Sequence, residues 1–235
     1  MSARAPVRHT AMYRAQVALG ARFREEAAWM IADAYSSPAD EAQAARAGVG
    51  LVDVSAQAKL AVRGEEAATV LQKLTGQDAP AAGRALRARI DGAEAIVCRM
   101  APDELLVLAP ARHQQLVADL LAQACQAVAC AHVTDLTSAF AAIDVVGPRM
   151  LALLERLVPL DLSPEATPAL AVVRGELSHV RAILLRLDLP QVPAVRALVP
   201  RECGAFVWET FSEAGRDLGL TCVGAAGHAL LMEAR

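Results

Sequence analysis

Few residues of this chain stand at spacings that by themselves spell out a reaction. Two runs place a carboxylate two residues before a hydroxyl: Asp53-Val54-Ser55 and Asp135-Leu136-Thr137. A hydroxyl becomes a nucleophile only with a base and an oxyanion cradle around it. Neither run sits in a Gly-x-Ser-x-Gly elbow. Both read better as strand starts with capped turns. The five cysteines, Cys98, Cys125, Cys130, Cys203 and Cys222, form no Cys-x-x-Cys and read as free thiols. His132 follows Cys130 closely, but His113, His179 and His228 are scattered, so no metal site is expected. No Gly-x-Gly-x-x-Gly follows a strand and no P-loop is present, which excludes the common nucleotide cradles.

The two Asp-x-hydroxyl runs are also landmarks of a repeat. Asp53 recurs as Asp135, Leu60-Ala61-Val62-Arg63-Gly64 as Ile143-Asp144-Val145-Val146-Gly147, and the Pro110 that precedes a helix recurs as Pro200. The offset is 82 residues at the aspartate and 83 at the glycine. Such self-similarity implies two copies of one supersecondary unit. Each copy reads strand, helix, two or three strands, helix. That order suits an α+β fold: two pseudo-symmetric lobes with antiparallel sheets and helices, and a ligand cleft between them. The expected organisation is an N-terminal extension and helix over 1–50, a first lobe over 51–133 and a second over 134–235.

Local signals fill in the elements. Asp40 is placed to cap a helix over 41–47, which Gly48 and Gly50 stop. Asp91-Gly92 between two apolar runs signals a hairpin. Pro110 suits the first turn of a helix running to Ala124. Strands are expected at 169–174 and 178–187, around a turn at Gly175-Glu176. Residues 1–10 read as disordered.

Composition excludes whole classes. The chain has 235 residues, 55% hydrophobic, with a net charge of −3. That supports a sizeable core and gives no electrostatic reason to bind nucleic acid. Aromatics are only 3%, too few for a base-stacking platform. No apolar run reaches the roughly 20 residues that span a bilayer. No signal-peptide h-region opens the chain, so a cytoplasmic protein without membrane contact is expected.

Several stretches together resemble a known family. The text Met12-Tyr13, Leu19-Gly20-Ala21-Arg22, Trp29, Ala45 to Ser55, Gly64 and Leu74-Thr75-Gly76-Gln77-Asp78 resembles the glycine cleavage T-protein, an aminomethyltransferase. Thr134 to Thr137, Val146-Gly147-Pro148-Arg149, Leu160-Asp161-Leu162 and Arg196 to Arg201 followed by Trp208 resemble the gamma subunit of sarcosine oxidase, in the same superfamily. The resemblance implies a folate-binding domain without the C-terminal barrel of the full-length T-protein. It implies tetrahydrofolate as cofactor, held between the lobes. The function implied is a tetrahydrofolate-binding one-carbon-transfer protein, degenerate at its catalytic site. The alternative is a non-catalytic gamma-like subunit of a sarcosine-oxidase-type heteromeric oxidoreductase. A larger oxidoreductase or methyltransferase subunit is the implied partner.

Departures from the family mark the residues to watch. Where the family hairpin carries paired aspartates, this chain has Ala93 and Glu94. Glu94 is thus the implied catalytic carboxylate. The family's glycine-rich, tyrosine-bearing pterin loop is replaced by 187–195, and Arg196 stands where an acceptor glutamate contacts the pterin. An arginine only donates, so Arg196 is expected to seek a carboxylate, either Asp188 or one on a partner chain. Trp29, Arg99 and Arg186 complete the implied ligand-binding set, as wall or tail contacts.

Overall fold

A computed structural model describes residues 7–233. In chain order the first elements are β1 (Arg8–His9), α1 (Tyr13–Ala18), β2 (Arg22–Glu26), β3 (Trp29–Ala34), α2 (Pro38–Ala47) and β4 (Val49–Asp53). Next come β5 (Ala58–Arg63), α3 (Ala67–Thr75), β6 (Arg84–Ile90), β7 (Ala93–Ala101), β8 (Glu104–Ala109), α4 (Gln114–Gln126) and β9 (His132–Asp135). The rest are β10 (Phe140–Val146), α5 (Met150–Leu154), β11 (Val172–Leu177), β12 (Val180–Arg186), β13 (Ala194–Pro200), α6 (Gly204–Ala214), β14 (Leu220–Cys222) and α7 (Ala225–Met232). The chain is α+β, as the repeat implied. None of the described helices is long and apolar enough to cross a membrane.

Contacts group the chain into two units. One takes Ala56–Ala139 with Leu170–Val173; the other takes the chain up to Ser55, Phe140–Ala169 and Arg174 onward. The first unit holds a five-stranded sheet in the order β6-β7-β8-β5-β9, and the second a six-stranded sheet in the order β11-β12-β13-β10-β4-β14. Matched strand by strand, the two orders are the same, with β14 added at one edge. Strand β4 therefore belongs to the sheet of β10, while β9 belongs to the sheet of β5. Each repeat gives up its leading strand to the sheet built by the other. The β5–β8, β5–β9, β6–β7, β7–β8, β10–β13, β10–β4 and β12–β13 pairings are antiparallel, and β14 runs parallel to β4. A small sheet, β1-β3-β2, completes the second unit.

The local chemistry of the duplication is reproduced too. Gly64 and Gly147 have φ of +131° and +112°, and a Cβ on either would collide with a backbone carbonyl, of Cys130 or Ala45. Only glycine lets the strand turn there into its helix. Pro110 and Pro200 each lead through a single 3-10 turn into α4 and α6.

In the five-stranded unit, Leu60, Val62, Ile90, Val97, Leu105 and Val107 share a core with Val70 and Leu71 of α3 and Val117 and Leu121 of α4. Alternation along each strand sends these residues to the helix-covered face. In the other unit, α6 packs on β10 and buries Val207, Trp208 and Phe211.

Several local expectations are corrected. The helix before β4 starts at Pro38 after Ser37, which makes no side-chain cap, and Asp40 lies in its first turn. The turn between β11 and β12 is Ser178-His179, both at positive φ, not Gly175-Glu176. Gly175 lies inside β11, where a Cβ would run into Leu160. Arg8 and His9 form a strand beside β3. The remainder of the expected N-terminal disorder falls mostly on residues 1–6, outside the described residues.

Candidate functional site

The strand β10 reads Phe-Ala-Ala-Ile-Asp-Val-Val, a single carboxylate in an apolar run. Asp144 is fully buried, and a buried carboxylate needs a partner to be tolerated. The antiparallel register puts Arg196 of β13 directly opposite. The pair is bidentate: Arg196 Nε donates to Asp144 Oδ1 at 2.7 Å and Nη2 to Oδ2 at 2.8 Å. Arg196 does seek a carboxylate, but it is Asp144 of its own sheet, not Asp188. The strand ladder supplies Asp144 at fixed geometry, whereas Asp188 is taken by Arg186. From α7, His228 turns Nε2 toward Asp144 Oδ2 at 3.6 Å. Burial lowers the His228 pKa; Asp144 pulls it up and Arg196 pushes it further down.

Arg186 lies on β12 beside β13, paired with Val195, while Leu185 faces Arg196. Paired residues share a face and neighbours alternate, so the two arginines point to opposite faces of the sheet. Arg186 is buried. Its Nε donates to Asp188 Oδ1 at 2.6 Å and its Nη1 to the Leu162 carbonyl at 3.2 Å. Asp188 Oδ1 also receives Ala194 N at 3.3 Å. Arg186 thus braces the 187–193 loop from within.

Trp29, on β3, is buried beneath Arg8, whose guanidinium lies 5.3 Å from the ring centroid. Its indole Nε1 is buried without a hydrogen-bond partner among the described residues. On the same unit, Gln16 donates to Asp53 Oδ2 at 2.9 Å. Burial raises the Tyr35 phenol well above its usual pKa, and Cys222, Asp53 and Glu41 add to this. The Cys222 thiol is pushed up to about 11 by burial and by Glu41, so it stays protonated at neutral pH. Glu41 itself is a structural acceptor. Its Oε1 takes Tyr35 N and Ser36 N at 2.6 Å each, and its Oε2 takes Gly224 N at 2.8 Å.

The other unit carries Glu94 and Arg99, both on β7 and on opposite faces of it. Glu94 opposes Arg89 across the β6–β7 hairpin at 3.8 Å, with 78% of its side chain exposed. A carboxylate so hydrated lacks the environment that tunes a general acid or base. Arg99 donates to the carbonyls of Pro80 at 3.1 Å and Pro102 at 2.8 Å, pinning two loops. Among the described residues, no three His, Cys, Asp or Glu side chains are placed to hold a metal ion.

Of the five residues singled out from the sequence, Trp29, Arg186 and Arg196 lie in one unit, and Glu94 and Arg99 in the other. Sequence reasoning missed Asp144, His228 and Glu41. The signal for Asp144 was present, since a lone acid inside an apolar strand demands a buried partner. His228 and Glu41 carried no comparable mark.

The family model described as the GCVT N-terminal domain matches residues 12–235. An aminomethyltransferase of Streptomyces avermitilis is 32% identical over 95% of this chain. Sarcosine oxidase subunit alpha of a Corynebacterium species is 27% identical over 93% of this chain and 25% of that subunit. The crystal structure of the glycine cleavage system aminomethyltransferase T from Bartonella henselae superposes with a TM-score of 0.84, at 20% identity, over 96% of this chain and 62% of that one. The chain spans about three fifths of the length of the aminomethyltransferase it matches, 61% in the Streptomyces protein. A match over nearly the whole sequence, with the duplicated sheets to go with it, makes this chain a member of the GCVT N-terminal domain family, an aminomethyltransferase-like module related also to sarcosine oxidase subunits.

Proposed function

We propose that this chain is a non-catalytic, aminomethyltransferase-like module that serves as a companion to a larger oxidoreductase or methyltransferase subunit. The observation that carries the reading is the Asp144–Arg196 pair. Tetrahydrofolate presents hydrogen-bond donors along its amino-pyrimidine edge and needs an acceptor there. By the family resemblance Arg196 falls at that acceptor position; it offers only N–H groups, and two of them are directed at Asp144. Both oxygens of Asp144 receive Arg196 in turn. These residues do not fit the pterin in the pose the family resemblance implies. Glu94, exposed beside Arg89, offers no tuned carboxylate in compensation. The relationship to a sarcosine oxidase subunit supports a place in a heteromeric amine-oxidising assembly.

A second reading keeps tetrahydrofolate binding and one-carbon transfer. Similarity to an aminomethyltransferase along 95% of the chain favours it. In that reading Glu94 is the working carboxylate, with Trp29, Arg99 and Arg186 as ligand contacts, and Glu94→Ala weakens binding or turnover.

One titration separates the two. Calorimetry with 5-formyl-tetrahydrofolate, carried to millimolar ligand, should show no saturable heat. Saturable binding at micromolar concentration, roughly −8 kcal/mol, would overturn the companion reading in favour of the second.

A further inference from the structure

Helix α7 is held at both ends by side chains of other elements. At its N-terminal end Gly224 N donates to Glu41 Oε2 at 2.8 Å. At its C-terminal end the Leu230 carbonyl receives Arg46 Nη2 at 3.0 Å and Gln191 Nε2 at 3.2 Å. Gln191 Nε2 also donates to the Glu233 carbonyl at 2.7 Å, and Arg46 Nε donates to Gln191 Oε1 at 2.7 Å. Gln191 belongs to the 187–193 loop that leads into Arg196, so α7 and that loop are tied together. Between the two ends sits His228. Its Nε2 is buried, has no hydrogen-bond partner among the described residues, and faces Asp144 Oδ2 at 3.6 Å. That distance is too long for a hydrogen bond.

We propose that His228 is a proton-operated catch: when its imidazole takes up a proton, α7 loosens from the Asp144–Arg196 pair and frees the 187–193 loop. A proton on His228 sets a second cation beside a carboxylate that already holds one, in an interior where unbalanced charge is costly. The imidazolium can relieve this by drawing Asp144 away from Arg196 or by backing out of the interior. Either movement shifts α7. The other charged groups on the elements packed against α7 are engaged elsewhere or, as with Asp40 of α2, exposed to solvent. On α2, Glu41 accepts three backbone N–H groups and Arg46 holds the C-terminal end. On β3, Asp33 pairs with Arg24. On β4, Asp53 receives Gln16 and Ser55. Asp144 and Arg196 are the charges that act on the imidazole, and with burial the net effect is to hold its pKa below the ordinary value. The sign follows. The unfolded chain protonates this histidine first, so the contribution of α7 is complete above about pH 6.5 and is lost as pH falls through that value toward the folded-state pKa.

Hydrogen exchange on the full chain tests this, corrected for intrinsic rates, at about pH 7.5 and about pH 5.5. Peptides covering 187–193 and 225–232 should lose roughly tenfold in protection at the lower pH in the wild type, since each pH unit between the open-state value of about 6.5 and the lower folded-state pKa can contribute a factor of ten. His228→Gln, which cannot titrate, should lose less than about twofold. Equal loosening in both proteins, or none in the wild type, overturns the proposal. Should the variant not fold, the imidazole signals of the five wild-type histidines decide it. A His228 midpoint below about 6.5 that moves together with the loop amides supports the catch, and a midpoint at or above that value overturns it.

Discussion

Ser55 and Thr137 hold equivalent places in the two halves of the chain and make equivalent bonds. Each follows an aspartate whose Oδ1 accepts its backbone N–H, Asp53 at 2.9 Å and Asp135 at 2.8 Å. Each hydroxyl then accepts a backbone N–H from a neighbouring strand. Ser55 Oγ takes Ala142 N at 2.9 Å, and Thr137 Oγ1 takes Lys59 N at 3.1 Å. Ala142 and Lys59 are themselves related by the 83-residue offset of the repeat. The preceding residues complete the match: Val54 N donates to the Ala142 carbonyl and Leu136 N to the Lys59 carbonyl. The two hydroxyls are therefore fasteners between strands, not nucleophiles in waiting.

Removing either hydroxyl should show this. Both side chains are buried, so Ser55→Ala and Thr137→Val each remove a buried side-chain acceptor from a backbone N–H. The expected loss is about 1–3 kcal/mol per site. Urea denaturation of the two variants should give similar values. A loss in one and none in the other would break the equivalence.

The Asp144–Arg196 pair should behave as a buried ion pair does. Arg196→Ala strands a fully buried carboxylate and should cost about 3–5 kcal/mol. The double change Asp144→Leu with Arg196→Met removes both charges, and stability should return to within roughly 1 kcal/mol of the wild type or rise above it. Chemical denaturation of the single and double variants makes the comparison. A double variant as unstable as the single one would mean that the pair is needed for packing and not merely for neutrality.

Glu41 ties β3, α2 and the start of α7 through three backbone donors. Glu41→Ala leaves Tyr35 N, Ser36 N and Gly224 N without their acceptor, and should cost about 3 kcal/mol or more. Glu41→Gln keeps one oxygen acceptor and should cost less. Thermal unfolding of the two variants orders them, and equal midpoints would show that water replaces the carboxylate freely.

Much of the frame was legible because this sequence repeats its punctuation. Gly64 and Gly147, Pro110 and Pro200, and the Asp91-Gly92 turn sit where backbone geometry leaves little choice. What stayed hidden had unmarked turns. The β2–β3 hairpin turns on Ala27 and Ala28, both at positive φ, where no Asn or Gly advertises the bend. The Ser178-His179 turn is equally plain, and Gly175 drew attention to the wrong place. Strand β4 was hidden by Gly48 and Gly50, which read as helix stops, although Gly50 lies inside the strand facing Val146. At the site, Arg196 was readable as an arginine in need of an acid. Which acid depended on cross-strand register, which no local pattern reveals.

The exchanged leading strands also set an order of assembly during synthesis. The five-stranded sheet draws on a continuous stretch, from Ala58 to Asp135, and can form nearly as soon as that stretch leaves the ribosome. Strand β4 is made earlier, yet its partner β10 follows only after Ala139, and β14 pairs with it later still. At about 5–20 residues per second, Val49, Leu51 and Val52 wait on the order of ten seconds without a sheet to join. The nascent chain carries an apolar, unpaired strand through that interval.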